Sequence, residues 1–390
     1  MQVSRLTPNA LTICTLVAVL TGCNSAGSQQ LAPAGPAQQT NLGIRSRPDT
    51  FPGRNGRIAF LQGLSFGGDV YTMNSDGTHV RRLTHIGPSF TDAVVWENWS
   101  SDGRRLVLQV STAANNYNDA EVWLMNANGK NLHQLFSDPG FIDGTPSFAP
   151  DGEHVLYNRC SDTVEVCAIY RINVDGNDNT PVTHFAENRG DDKAVYSPDG
   201  SQIALNAGRL GGYAFPLALM NADGRDIKLV TPTRLGGDAV SWSPDGRRLA
   251  FDTYFHFVFG SNEEIWSSDT RGGDLKRLTK NNFPGQRSYY AQPHDLNASW
   301  SPRGDAIVFE RWNGAFTSWG IYILKLSPHG DVLTTKRLLG GNSLGIARSP
   351  VRGNSHERSL SAVTPRQIES GGVVPRWGSA PDTDGSDGNS

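Results

Sequence analysis

Residues 241–251 read SWSPDGRRLAF, and the phrase returns as SSDGRRLVL (100–108), APDGEHVLY (149–157), SPDGSQIAL (197–205) and SPRGDAIVF (301–309). Proline fixes φ at the entry of a turn, aspartate accepts a hydrogen bond from backbone two residues on, and glycine supplies a positive φ. The phrase therefore encodes a hairpin between an incoming strand and the apolar strand that follows it. The glycines that end these turns, Gly56, Gly103, Gly152, Gly200, Gly246 and Gly304, are spaced by 47, 49, 48, 46 and 58 residues. Such a period means a repeat architecture.

Each unit contains four short runs. The first ends in an aromatic residue ahead of the turn, as in AVVWENWS, KAVYSP, AVSWSP and NASWSP. The second is RIAF, RLVL, HVLY, QIAL, RLAF or AIVF, and the third, such as DVYTMNSDG or EVWLMNANG, ends in another tight turn. The fourth is brief: RRLT, HQLF, PVTH, KLVT, KRLT, KRLL. β-branched and aromatic runs bounded by Gly, Asn, Asp and Pro, without a long 3.6-residue period, read as strands. Four-stranded antiparallel units at this period predict an all-β fold, a six-bladed β-propeller. The first unit begins at its turn and lacks a first strand. Residues 344–350 (LGIARSP) lead to Gly353, 49 residues beyond Gly304, and are expected to supply it and close the ring.

The units resemble the WD40-like (PD40) repeats of the TolB family, with W-S-P-D-G-x-x-I-A-F, I-Y-x-M-N-x-D-G and R-x-L-T in succession across residues 51–353. The resemblance implies a propeller that binds a partner in the bacterial envelope.

The chain has 390 residues, 37% apolar content and a formal charge of −3, which gives no reason to expect a nucleic-acid partner. Residues 1–22 carry one basic residue, Arg5, and a short apolar run, LTICTLVAVL, that fits an export signal. LTGC, ending at Cys23, resembles a bacterial lipobox. That resemblance implies cleavage before Cys23, lipidation of its thiol and, with Asn24 following, an outer-membrane location facing the periplasm. The membrane would be met through the lipid alone. Residues 23–50 read as a flexible tether and 354–390 as a disordered tail, from their Ser, Gln, Gly, Pro and Asp content. Cys160 and Cys167, between two strand-like runs, are expected to form a disulfide in an oxidising compartment, two buried thiols being the alternative.

Three sets of residues are candidate sites. Asp92, Asp143, Asp191, Asp238 and Asp295 each precede a first strand by a few residues. They either gather at the channel mouth, where a divalent cation with oxygen-ligand preference could be held, or cap their own loops. No cofactor beyond such a cation is expected. His256, Gln292 and His294 could imitate the histidine and glutamine set that holds manganese in oligogalacturonate lyases, whose repeats this chain resembles. That is the basis of the alternative function, a metal-dependent polysaccharide lyase or hydrolase. GNSLG at 341–345 matches G-x-S-x-G but lacks the strand-to-helix turn and downstream acid and histidine that a nucleophile needs. The third set is aromatic and lies in the longer loops opposite the tight turns: Tyr254, Phe255, Phe257, Tyr289, Tyr290, Trp312, Phe316 and Trp319. Exposed aromatic clusters mark binding surfaces, so the expected function is a binding module without catalysis, its partner an envelope protein or glycan.

Overall fold

A computed structural model describes residues 53–64, 67–86, 92–112, 119–161, 166–185, 190–211, 215–233, 235–253, 263–281, 292–314, 318–342 and 376–379. The chain divides into residues 1–44 and 45–390, and every described residue lies in the second part. Its strands are β1 (Asn55–Leu64), β2 (Gly67–Met73), β3 (Arg81–Arg82), β4 (Asp92–Trp99), β5 (Arg105–Thr112), β6 (Glu121–Asn126), β7 (His133–Gln134), β8 (Phe141–Phe148), β9 (His154–Ser161), β10 (Cys167–Asn173), β11 (Thr180–Pro181) and β12 (Asp191–Tyr196). There follow β13 (Gln202–Ala207), β14 (Leu217–Asn221), β15 (Lys228–Leu229), β16 (Asp238–Trp242), β17 (Arg248–Asp252), β18 (Ile265–Asp269), β19 (Lys276–Arg277), β20 (His294–Trp300), β21 (Ala306–Trp312), β22 (Ser318–Leu326), β23 (Val332–Asn342) and β24 (Arg376–Ser379). No helix among the described residues is long and apolar enough to cross a membrane.

All pairings are antiparallel. β8–β11, β12–β15, β16–β19 and β20–β23 are four-stranded sheets, and an eight-stranded sheet joins β1–β3 and β24 to β4–β7 through the single pair Gly68↔Val94. The repeated phrase makes the expected turn. Ser243 Oγ donates to Asp245 Oδ1 at 2.7 Å, Arg247 N donates to the same oxygen at 3.1 Å, and Arg248 N donates to Ser243 Oγ at 2.9 Å. Ser100 with Asp102 and Ser197 with Asp199 repeat the arrangement. The proline has a second use that the sequence hid: a methyl group on Gly304 would lie 3.1 Å from the Pro244 ring, and one on Gly246 3.5 Å from Pro198, so each turn packs on the turn before it. The fourth run also has a structural task. Thr84, Thr183, Thr231 and Thr279 accept hydrogen bonds through Oγ1 from the amides of Val70, Ile169, Leu217 and Ile265, at or near the start of each third strand.

The core lies between successive sheets. Trp99, Leu106 and Leu108 pack with Ala59, Leu61 and Val70, and Trp242, Leu249 and Phe251 with Leu217 and Leu219. Ile58, Phe60 and Met73 from the first unit pack with Val308, Trp312, Trp319 and Ile321 from the last. The first strands touch in succession, β4 with β8, β8 with β12, β12 with β16 and β16 with β20, while β24 touches both β20 and β4.

The strand beside β1 differs from the expected one. It is β24, from within the 354–390 segment that reads as a tail, whereas residues 344–350 lie outside the described residues. Trp377 pairs with Ile58 and Arg376 with Ala59, the register that Trp242 and Ser241 keep with Leu249 and Ala250. The signal was present as W-G-S-A-P-D-T-D-G at 377–385, a tryptophan and a proline–aspartate turn with extra residues between them.

Candidate functional site

The first strands share a bulge. Their register slips between Gly144 and Ser147, Asp192 and Val195, Asp238 and Ser241, and Leu296 and Ser299. One residue in each slip, Thr145, Lys193, Ala239 or Asn297, takes a φ between 43° and 57°. Positive φ is strained in residues other than glycine, and bulges re-aim side chains. A side-chain oxygen receives each strained amide: Thr145 N donates to Gln109 Oε1 (2.9 Å), Lys193 N to Asp192 Oδ1 (2.6 Å), Ala239 N to Asp238 Oδ1 (2.9 Å) and Asn297 N to Asp252 Oδ1 (3.0 Å).

These groups link into a polar belt that crosses from sheet to sheet. Thr145 Oγ1 lies 2.9 Å from Asp192 Oδ1, Lys193 Nζ donates to Asp238 Oδ2 at 2.7 Å, and Asn206 Nδ2 donates to Asp238 Oδ1 at 2.9 Å. Asn297 Nδ2 donates to Glu310 Oε1, whose other oxygen accepts from Trp312 Nε1 at 3.0 Å. Lys193 and Arg376 both approach the Trp96 ring, at 5.6 and 4.4 Å from its centroid. Carboxylates outnumber cations here. Burial, and then the charge of Asp238, hold Asp252 well above the usual carboxylate range, with Lys193 and the Asn297 amide pulling the other way. Burial likewise pushes Glu97 well above it.

Of the five aspartates, the belt contains Asp238. Asp143 and Asp295 are buried but are each held across the strand pair by an arginine: Arg159 donates to Asp143 at 2.8 and 3.0 Å, and Arg311 to Asp295 at 2.6 and 2.7 Å. Asp191 is buried opposite Ala207, and the backbone of Asp92 lies opposite Thr112. Cross-strand arginines thus hold Asp143 and Asp295 in place, and the side chain of Asp92 lies outside the described residues. No group of three or more His, Cys, Asp or Glu able to hold a metal occurs among the described residues. His256 lies outside those residues; Gln292 and His294 are both buried, and His294 Nδ1 is in close contact with Glu263 Oε2 rather than in an open loop.

Of the eight aromatic candidates, two are described. Tyr254, Phe255, Phe257, Tyr289, Tyr290 and Phe316 lie outside the described residues. Trp312 and Trp319, expected on the loop face, are 3% and 8% exposed, pair across β21 and β22, and belong to the core between the last and first units. The described aromatic surface is in the third unit instead. Arg159 lies over Phe141 (4.7 Å to the centroid), Tyr170 (5.0 Å), Phe136 (5.6 Å) and Tyr157 (5.6 Å), while its Nη1 meets Asp138 at 2.7 Å. Phe185, 41% exposed, stacks at 6.4 Å on Phe141 and lies 6.3 Å from Tyr170. The next residue after Arg159, Cys160, is disulfide-bonded to Cys167 across β9 and β10, as expected. Sequence reading missed this face because its rings come from four separated segments.

Four-stranded antiparallel sheets packed through their first strands around a shared belt define a β-propeller. Residues 93–256 match the family described as PD40, the TolB beta propeller domain. TolB from Acinetobacter baumannii superposes with a TM-score of 0.57 at 18% identity, over 83% of this chain and 67% of that one. A chain of a nidogen/laminin complex superposes with a TM-score of 0.51 at 10% identity, over 72% of this chain and 92% of that one. Both likenesses concern the fold. An uncharacterized protein of Agrobacterium fabrum is 28% identical over 169 residues, 42% of this chain, and the match spans 53% of that relative's length.

Proposed function

We propose that the chain is an exported lipoprotein, anchored through Cys23, whose six-bladed propeller, closed by β24, is a non-catalytic binding module for an envelope protein or glycan. The TolB-type repeats support the propeller and the envelope setting, and the LTGC motif supports the anchor. Contact between the first and last units supports closure.

The observation that carries the binding role is the stacked pair of Phe185 and Phe141 on Arg159. An exposed phenylalanine held on a second ring presents apolar area at little ordering cost, and aromatic residues dominate interface energetics and stack on sugars. The carboxylates of Asp143 and Asp138 fix the guanidinium beneath the rings, and the disulfide joins the two strands that carry Arg159 and Tyr170. Purified full-length protein should capture its partner from detergent-extracted envelope or from soluble cell-wall fragments, and Phe185→Ala should lose that capture with an unchanged melting temperature. Capture undiminished by Phe185→Ala would overturn this surface. Replacement of Cys23 by Ser should move the protein out of the membrane fraction.

A further inference from the structure

A second buried acid of the belt is Glu97. It is 0% exposed, and neither carboxylate oxygen has a hydrogen-bond partner. It lies on β4, beside β24, and the charges that act on it are Arg376 of β24, which favours ionisation, and Glu310 of β21, which opposes it. Other ionisable groups on neighbouring strands are engaged elsewhere. Lys193 of β12 holds Asp238, Asp143 of β8 holds Arg159, Asp69 of β2 holds Arg82, and on β20 Asp295 holds Arg311 and His294 contacts Glu263. β1 and β5 bring Ala59, Leu61, Leu106, Leu108 and Val110 to the adjoining apolar cluster, and their arginines, Arg57 and Arg105, donate to the carbonyls of His79 and Gly152.

We propose that β24 is a proton-operated latch on the ring: it lies closed beside Glu97 while that carboxyl carries its proton and lifts from β1 when the carboxyl ionises. The buried, unpartnered acid lies beside a short strand, four residues joined to β1 through Asn55↔Ser379, Ile58↔Trp377 and Ala59↔Arg376. Ionised carboxylate in a dry site must find water or donors. Lifting β24 would hydrate Glu97 at far less cost than global unfolding, since local openings take the low-stability elements first. It would also expose the edge of β1, which could accept a strand.

The direction with pH follows from the burial that pushes Glu97 upward. A carboxyl whose closed-state pKa is raised stabilises the closed state fully below its ordinary value, about 4.3, and that stabilisation is lost as pH rises through the higher value. The latch therefore closes in acid and loosens toward neutral and alkaline pH.

Hydrogen exchange on the full-length protein, corrected for intrinsic rates, reads the latch directly at residues 55–60. Protection there should fall with rising pH by up to about tenfold per unit, the limit for release of one proton. Protection of β9 and β10 should stay constant over the same range. Glu97→Gln, which mimics the protonated acid, should make residues 55–60 insensitive to pH. Arg376→Gln, which removes the favourable cation, should deepen the fall. A flat wild-type profile overturns the proposal, whatever the variants do. So does an equal fall in Glu97→Gln, or a fall shared by β9 and β10.

Discussion

Gly77, in the first unit, faces the carbonyl oxygen of Leu338, in the last: a methyl group on Gly77 would lie 2.8 Å from that oxygen. The same approach recurs between Gly129 and Leu83, Gly176 and Leu135, Gly224 and Val182, and Gly272 and Val230, always from one unit to the unit before it. The first and last units thus meet as neighbours do elsewhere in the array. Gly77→Ala should cost about 1–3 kcal/mol, combining the positive φ with overlap against backbone. Gly140 provides the comparison, because it has a similar φ of 95° but nothing within 4 Å. Gly140→Ala should cost about 1 kcal/mol at most. Equal losses in urea melts would mean that the Gly77 contact contributes nothing to joining the ends.

The repeat was legible because its signals are local. Ser243, Pro244, Asp245 and Gly246 specify a turn by their own chemistry, and the spacing of such turns specifies the architecture. The belt was not legible, since Gln109, Asp192, Asp252, Asn297 and Glu310 share no motif and meet only once strands from different units are side by side. Trp312 and Trp319 misled for a related reason. They look like loop residues around NGAFTS, but cross-strand pairing extends β21 and β22 and turns both rings into the core. β24 was hidden by its composition: RWGS sits between apolar VVP and an acidic, glycine-rich end, far beyond the last regular interval.

The buried threonine found in four of the six fourth runs should matter more than its place beside a two-residue strand suggests. Thr231 Oγ1 accepts from the buried amide of Leu217 at 2.9 Å. Thr231→Val keeps the shape and removes the acceptor, leaving that amide unsatisfied at a cost of about 1–3 kcal/mol. Thr231→Ser should recover most of it. Chemical denaturation of both variants tests the assignment: a loss in Thr231→Ser with none in Thr231→Val would mean that packing of the methyl group, not the hydroxyl, is what the position supplies.

The Cys160–Cys167 bond closes a loop with a sequence separation of 7. On the chain-entropy account, a loop of this size contributes about 2–3 kcal/mol by restricting the unfolded chain. Reduction, or replacement of both cysteines by serine, should lower stability by that order and weaken capture through the Phe185 face by loosening β9 against β10. A reduced protein with unchanged melting temperature would show that the bond constrains only the folded state.

Asp252 gives the clearest pH signature of the belt. It is buried opposite Asp238, and burial together with that second carboxylate holds it well above the ordinary aspartate range. A raised acid stabilises the fold fully below its unfolded value, about 3.9, and this contribution disappears as pH climbs through the folded value. The protein should therefore lose stability from pH 4 to pH 8 by an amount traceable to this residue and to Glu97. Asp252→Asn retains an oxygen that can accept from Asn297 N, a bond of 3.0 Å in the native protein, and removes the charge. Lys193 keeps its partner in Asp238 at 2.7 Å. Melting curves across this range should show Asp252→Asn more stable than wild type at pH 8, with the advantage shrinking or reversing at pH 4. If the variant is less stable by the same margin at both ends, Asp252 is ionised in the folded protein throughout, and Lys193 outweighs the repulsion from Asp238.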